Sequence, residues 1–296
     1  MPASHLLLAI AVVAVWGSNF VVIKWGLAEL PPFLFATLRF ALSAFPLLLF
    51  VRRPAVPWRT LAAFGLLLGP GQFGLLFLAM RADIAPGLAS LAIQVQVFFT
   101  IGLAMLLGGE RPRPLQYAAL LVALTGMAVI AAHAQARGPG VQTTAFGLAL
   151  VLAAALAWAG ANMVAKSAGR VDMLGFMVWS SACAAPALAA ISLAVEGPAA
   201  VAAGLRGAGL AAWSAVAWQA LGNTLFGYGA WNWLLARHPA ATVAPTSLLV
   251  PVFGMAAAAA LLGEAMPGWK LAATALVVGG LTLNAVASRG GRMGRS

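Results

Sequence analysis

Residues 5–27, HLLLAIAVVAVWGSNFVVIKWGL, set one Lys and one His among side chains that are nearly all apolar. About twenty such residues in a row is the length a helix needs to cross the hydrocarbon core of a bilayer. In lipid every backbone N–H and C=O must be satisfied internally, so a crossing segment is a helix or part of a closed barrel. Barrel strands are shorter and alternate apolar with polar residues, and this stretch does neither.

The pattern recurs to the C-terminus. Apolar runs fall at roughly 5–27, 32–51, 60–80, 84–108, 114–134, 144–166, 171–195, 209–236, 240–262 and 268–287. Turn signals separate them, among them Pro31-Pro32, Arg52-Arg53-Pro54, Arg111-Pro112-Arg113-Pro114, Gly138-Pro139-Gly140 and Gly197-Pro198. The predicted fold is an all-α membrane protein of ten transmembrane helices, with loops too short to hold a soluble domain. Composition agrees: 63% of the residues are hydrophobic and 8% are charged, against roughly 25% charged in a soluble domain. The first residues carry no Lys or Arg and the first run outlasts a signal-peptide core, so no cleaved signal is expected. The lone cysteine, Cys183, lies in an apolar stretch without metal-ligand spacing, and no metal or cofactor is expected.

The net charge of +11 would suggest nucleic acid in a soluble protein. Here the cations lie between apolar runs and in the tail, where they set topology. With the N-terminus in the cytoplasm, the inner loops and tail hold Arg52, Arg53, Arg59, Arg111, Arg113, Lys166, Arg170, Arg237, Arg289, Arg292 and Arg295. The outer loops hold Arg81, Arg137, Arg206 and Lys270. That excess places both termini in the cytoplasm.

The two parts of the chain echo each other. Trp16-Gly17-Ser18-Asn19 leads to Lys24, and Trp158-Ala159-Gly160-Ala161-Asn162 leads to Lys166 at the same spacing. Gln72-Phe73-Gly74 answers to Leu225-Phe226-Gly227, Leu107-Gly108-Gly109-Glu110 to Leu261-Leu262-Gly263-Glu264, and Gly126 to Gly280. The repeats are read as 1–137 and 138–296. Each would hold an odd number of helices, so the second enters the membrane upside down, an architecture suited to alternating access.

Polar groups inside a bilayer are costly and tend to be functional. Trp158, Asn162 and Lys166 share one helix face, as do Trp16 and Asn19, and both faces are candidates to line a cavity. Gln94 and Gln96, two apart on a helix, should point about 200° apart, so only one is expected to face it. Asn223, Tyr228, Trp231 and Asn232 offer a further polar and aromatic wall. Arg39 sits about 10 Å below the outer surface at 1.5 Å per residue. Two roles are open to it: attracting a substrate carboxylate, or snorkelling outward.

Pro46, Pro70, Pro186 and Pro251 interrupt helical runs, as does Pro245 beside Pro251, and the first four are candidate hinges. Glu110 and Glu264 each precede a helix start, where a carboxylate complements the dipole of the helix that follows. Gly69-Pro70-Gly71-Gln72-Phe73-Gly74 matches a dinucleotide-binding pattern but lies in an apolar run with no strand before it. No phosphate loop, HExxH or GxSxG occurs, and no enzyme is expected.

Trp16-Gly17-Ser18-Asn19-Phe20, Leu38-Arg39-Phe40, Gly87-Leu88-Ala89-Ser90-Leu91, Ala244-Pro245-Thr246-Ser247-Leu248-Leu249 and the two Gly-Glu helix ends resemble the EamA family of the drug/metabolite transporter superfamily. Gln94-Val95-Gln96 and Leu248-Leu249-Val250-Pro251-Val252 are most similar to bacterial exporters of cysteine and O-acetylserine. Related members export aromatic amino acids. The resemblance implies a multi-pass inner-membrane protein with a central cavity, the fifth and tenth helices being peripheral. It also implies amino acids or derivatives as substrate, with no nucleic acid partner. A monomer is compatible with it. Flat cationic drugs are the alternative cargo. The six acids fall at helix ends or in loops, so a facilitator without obligatory proton exchange is expected.

A reporter fused at the C-terminus should read as cytoplasmic and one inserted near Gly138 as external; the opposite pair of signals would overturn both the orientation and the inverted repeat.

Overall fold

The computed structural model describes residues 2–108, 114–134, 143–169, 171–237 and 244–290. The apolar runs become helices, many of which start at or just after a Pro or Gly. The first are α1, Ala3–Glu29, and α2, Pro32–Ala44. Next come α3, Trp58–Leu66, and α4, Leu75–Ala82, joined by a π-helical segment, Leu67–Gly74. A 3₁₀ turn, Ile93–Val95, joins α5, Pro86–Ala92, to α6, Gln96–Gly108. Helices α7, Pro114–Ala134, and α8, Ala145–Ser167, are unbroken. Helix α9, Met173–Ile191, passes through π-helical Ser192–Glu196 into α10, Gly197–Gly207. An eleven-residue π-helical segment, Trp218–Tyr228, separates α11, Leu210–Ala217, from α12, Gly229–Arg237. The 3₁₀ segment Ala244–Leu249 leads into α13, Val250–Leu262, and α14 is Gly268–Gly290.

Among the described residues there is no strand, only an isolated bridge between Ile84 and Thr143. Among the described residues five helical runs are long and apolar enough to cross a membrane: Ala3–Glu29, Pro32–Leu49, Trp58–Arg81, Ala145–Ala165 and Met173–Gly207.

Some local expectations change. The chain after 195 is not a loop: Gly197, at φ 84°, turns it out of the preceding helix, and Pro198 starts α10 in the first turn, where its missing N–H costs nothing. Of the four candidate hinge prolines, Pro70 and Pro186 lie inside helical segments. Pro46 instead follows the end of α2, and Pro251 occupies the first turn of α13. At Pro70 the helix widens to i→i+5 bonding, which makes room for a ring that would otherwise strike the carbonyl one turn back.

Close packing makes the centre. Helix α1 crosses α13 so tightly at Gly17 that a Cβ there would lie 2.6 Å from Phe253 Cβ and 2.7 Å from Val250 O. Small residues allow such approaches where lipid supplies no hydrophobic drive between helices. Helices α2 and α9 also pack together. So do α7 and α14, joined by a Gln116 Nε2 to Asn284 Oδ1 hydrogen bond of 3.2 Å.

Five of the six acids are described, and each serves the start of a helix. Asp172 accepts from Leu174 and Gly175 N–H at the start of α9. The other four reach across the chain. Glu196 accepts from Phe33 N and Leu34 N at 2.7 and 3.0 Å, capping α2. Glu29 accepts from Gly209 N at 2.6 Å, ahead of α11. Asp83 accepts from Thr144 Oγ1 at 2.9 Å, ahead of α8. Glu264 accepts from Gly87 N at 3.1 Å in the first turn of α5 and pairs with Lys270 Nζ. These four bonds gather at one end of the bundle, where α1 and α13 finish and α2, α5, α8, α11 and α14 begin.

Glu264 therefore serves two helices: Oε2 takes the N–H of Gly87 in α5, and Oε1 pairs with Lys270 in the first turn of the helix that follows it. Gly263, at φ 64°, ends α13 in the left-handed region and is followed by a carboxylate that reaches a helix distant in sequence. Glu110 lies outside the described residues.

Both partners of the Glu264–Lys270 pair are at most 7% exposed. Removing one charge from such a pair strands the other, at a cost of about 3–5 kcal/mol. Glu264→Gln should lower the thermal midpoint of the purified protein clearly, and Glu264→Gln combined with Lys270→Met should recover most of the loss. A single variant as stable as the parent would contradict the pairing.

Candidate functional site

The helix interruptions meet around one cavity of about 290 Å³. That lies near the lower end of small-molecule pockets, roughly 300–1,000 Å³. Four of the interruptions supply lining. Leu68, Gln72 and Phe73 come from the π-helical segment before α4, and Asn223 and Tyr228 from the one before α12. Ile93 and Gln94 come from one 3₁₀ turn and Ser247 from the other.

Nine of the ten candidate substrate residues line this cavity: Trp16, Asn19, Gln94, Gln96, Trp158, Asn162, Asn223, Tyr228 and Trp231. The expected divergence of Gln94 and Gln96 does not occur, and both reach the cavity. The 3₁₀ turn at Ile93–Val95 adds about 120° per residue instead of about 100°. It swings the two side chains toward a common side.

The tenth candidate, Arg39, stands behind the lining. It is 1% exposed, so it does not snorkel, and it is not part of the lining. Its Nε and Nη2 donate to Thr224 Oγ1 at 3.3 and 3.1 Å, and its guanidinium carbon stands 3.5 Å from the centre of the Phe73 ring. Lys24 is also accounted for: its ammonium donates to Met80 O and Arg81 O at 3.4 and 3.3 Å, at the negative end of α4. The side chains of Lys166 and Asn232, like Glu110, fall outside the described residues.

The polar lining forms three groups. Asn162 Nδ2 donates to Gln96 Oε1 at 3.0 Å and to Thr100 Oγ1 at 3.3 Å. Gln94 Nε2 donates to Ser247 O at 3.3 Å, tying one 3₁₀ segment to the other. Asn19 and Asn223 both donate to Gln219 Oε1, at 3.4 and 3.5 Å. Trp16 holds the aromatic corner. Its Nε1 donates to Asn223 O at 3.2 Å, and its ring lies 5.2 Å from those of both Tyr228 and Trp231.

No Asp, Glu, Lys or Arg is among the described lining residues. The described lining offers a ligand carboxamides, hydroxyls and aromatic faces, but no counter-ion. Phe64, Ala165, Met173 and Met177 extend the lining toward the end where α8 finishes and α3 and α9 begin. That end is opposite the four cross-chain carboxylate bonds. Sequence reasoning did not single out Gln72, Gln219 or Ser247 for the site, although Gln72 stood in a repeat match and Ser247 in a family-like motif; the Gly69-Pro70-Gly71 break beside Gln72 was the available signal.

Apolar helices of membrane length thus pack around a small cavity whose described lining is polar, aromatic and uncharged. The chain belongs to the EamA-like transporter family, whose model matches residues 3–132 and 145–286. It is 40% identical over 292 residues to a Salmonella typhimurium protein named "Probable amino-acid metabolite efflux pump", covering 97% of each chain. An Escherichia coli protein of the same name is 38% identical over 281 residues, covering 94% of this chain and 93% of that one. A solved crystal structure shares the fold, with TM-score 0.60 and 23% identity over 96% of this chain and 99% of that one.

Proposed function

We propose that this protein is a secondary exporter that carries amino acids and related small metabolites across the bacterial inner membrane. The carrying observation is the uncharged, carboxamide-rich cavity of about 290 Å³, in a chain so similar to proteins named as amino-acid metabolite efflux pumps. Asn19, Gln94, Gln96, Asn162 and Asn223 present donors and acceptors to the ammonium and carboxylate of a zwitterion. Trp16, Trp158, Tyr228 and Trp231 present apolar and π surface to its side chain.

Transport proceeds by alternating access between two inverted five-helix repeats, 1–137 and 138–296. Matched interruptions support this reading. The segment holding Gln72-Phe73-Gly74 and the one holding Leu225-Phe226-Gly227 are both π-helical, and the next helical run in each part opens or breaks with a 3₁₀ segment. With both termini cytoplasmic, the four cross-chain carboxylate bonds lie at the outer face and the cavity leads inward, so the conformation is inward-facing. Pro70 and Pro186, inside helical segments, and Pro46 and Pro251, beside 3₁₀ segments, are the hinges.

No proton exchange is obligatory in this mechanism. The five described acids are engaged at helix starts away from the cavity, and Lys24 at a helix end. A carrier of flat aromatic drugs is the second reading, favoured by the Trp16–Tyr228–Trp231 cluster.

Proteoliposomes preloaded with unlabelled amino acid should accumulate the labelled form by counterflow, and an imposed pH gradient alone should drive no accumulation. Ala at Trp16, Asn19, Trp158 and Asn162 together should cut counterflow at least about tenfold, the scale of one or two lost hydrogen bonds, while the protein stays monodisperse. Accumulation driven by protons and abolished by an uncoupler would contradict the facilitator mechanism. No counterflow with any amino acid, or full flux in the quadruple variant, would contradict the exporter reading or the cavity assignment.

A further inference from the structure

Arg39 is a cation buried at membrane depth with no acid beside it. Among the described residues its only hydrogen-bond partner is the neutral hydroxyl of Thr224, and its Nη1 has none. The Glu264–Lys270 ion pair belongs to the capped end of the bundle. The guanidinium lies on Phe73, a lining residue, and beside Phe40, whose ring centre is 5.3 Å away. An unpaired charge in such a place is expensive to bury. Arg39 also adds little that a neutral side chain of its size could not supply as packing, so what distinguishes it is its field.

That field reaches the cavity. Thr224, which holds the guanidinium, follows the lining residue Asn223, and Phe73 follows the lining residue Gln72. None of the described lining side chains carries a charge to offset it. Resting on the exporter reading above, we propose that Arg39 sets the charge selectivity of the cavity from behind its wall. It disfavours cations and favours zwitterions and anions without touching the substrate. A unit charge about 10 Å away, through an effective dielectric constant of about 20, shifts occupancy by about tenfold. A zwitterion seats with its carboxylate toward Phe73 and its ammonium toward the carboxamides. The same potential opposes entry of a hydrated proton, as fixed positive charge does in water-conducting pores.

The test uses phenylalanine, serine and S-methylcysteine, each as the free amino acid, the cationic methyl ester and the anionic N-acetyl derivative. Binding to the purified full-length protein in lipid nanodiscs is measured at pH 6. For the wild type, the free acid and N-acetyl form should bind at least about tenfold more tightly than the ester. Arg39→Gln should bring the ester and the acid close together, whereas Arg39→Lys, which keeps the charge, should preserve the gap. Thr224→Asp neutralises Arg39 in place and should close the gap even if Arg39→Gln does not fold. An ester that binds wild type as tightly as its parent acid would overturn the proposal, as would undiminished discrimination in folded Thr224→Asp. If none of the free amino acids binds, the exporter reading falls and this inference with it; if they bind without charge discrimination, only the inference falls.

Discussion

A backbone N–H or C=O inside a bilayer has no water to turn to, and each one left unpaired costs several kcal/mol. Unbroken helices meet this demand alone. A protein that must hold a small molecule among its helices needs breaks, and every break releases polar groups that some side chain has to meet. Here Trp16 takes the carbonyl of Asn223, Gln94 that of Ser247, and Thr224 that of Gln219, all in interrupted segments. Helix starts make the same demand, and Glu29, Asp83, Glu196 and Glu264 meet it across the chain. This use of side chains shapes the chemistry: the acids go to helix ends, and what remains around the cavity is neutral.

Length and apolarity made the helical runs legible, because hydrocarbon thickness allows few other readings. The lining was legible for a related reason. A polar side chain in mid-run is costly to leave in lipid, and Asn19, Asn162 and Asn223 line the cavity together with the neighbouring Trp16, Trp158, Tyr228 and Trp231. What failed were readings that assumed a regular α-helix or a local partner. Gln94 and Gln96 were separated by an α-helical angle that a 3₁₀ turn does not have. Glu264 was assigned only to the helix following it, where it does meet Lys270, but it also takes the N–H of Gly87, remote in sequence. The surface was one role open to Arg39, but it is buried against a threonine and two aromatic rings. A contact set by how helices cross leaves no mark in the spacing of one segment.

The two ends of the bundle differ in kind. One is tied by carboxylates that join early and late parts of the sequence, with the Glu264–Lys270 pair buried among them. Toward the other, the lining continues through Phe64, Ala165, Met173 and Met177, where apolar and thioether side chains replace directed bonds. Charged caps hold strongly while helices stay in register and release once they separate, whereas Met surfaces repack readily. That contrast is what a carrier with one closed end and one open end requires.

The claim that transport needs the carboxylate-tied end to open can be tested by bridging it. In a Cys183→Ala background, Glu29→Cys and Gly209→Cys would be joined by a short bifunctional thiol reagent and the protein assayed for amino-acid counterflow and for binding. The account predicts that the bridged protein still binds amino acid but loses flux, which returns when the bridge is cleaved. Flux in the bridged protein at the rate of the unbridged one would contradict it.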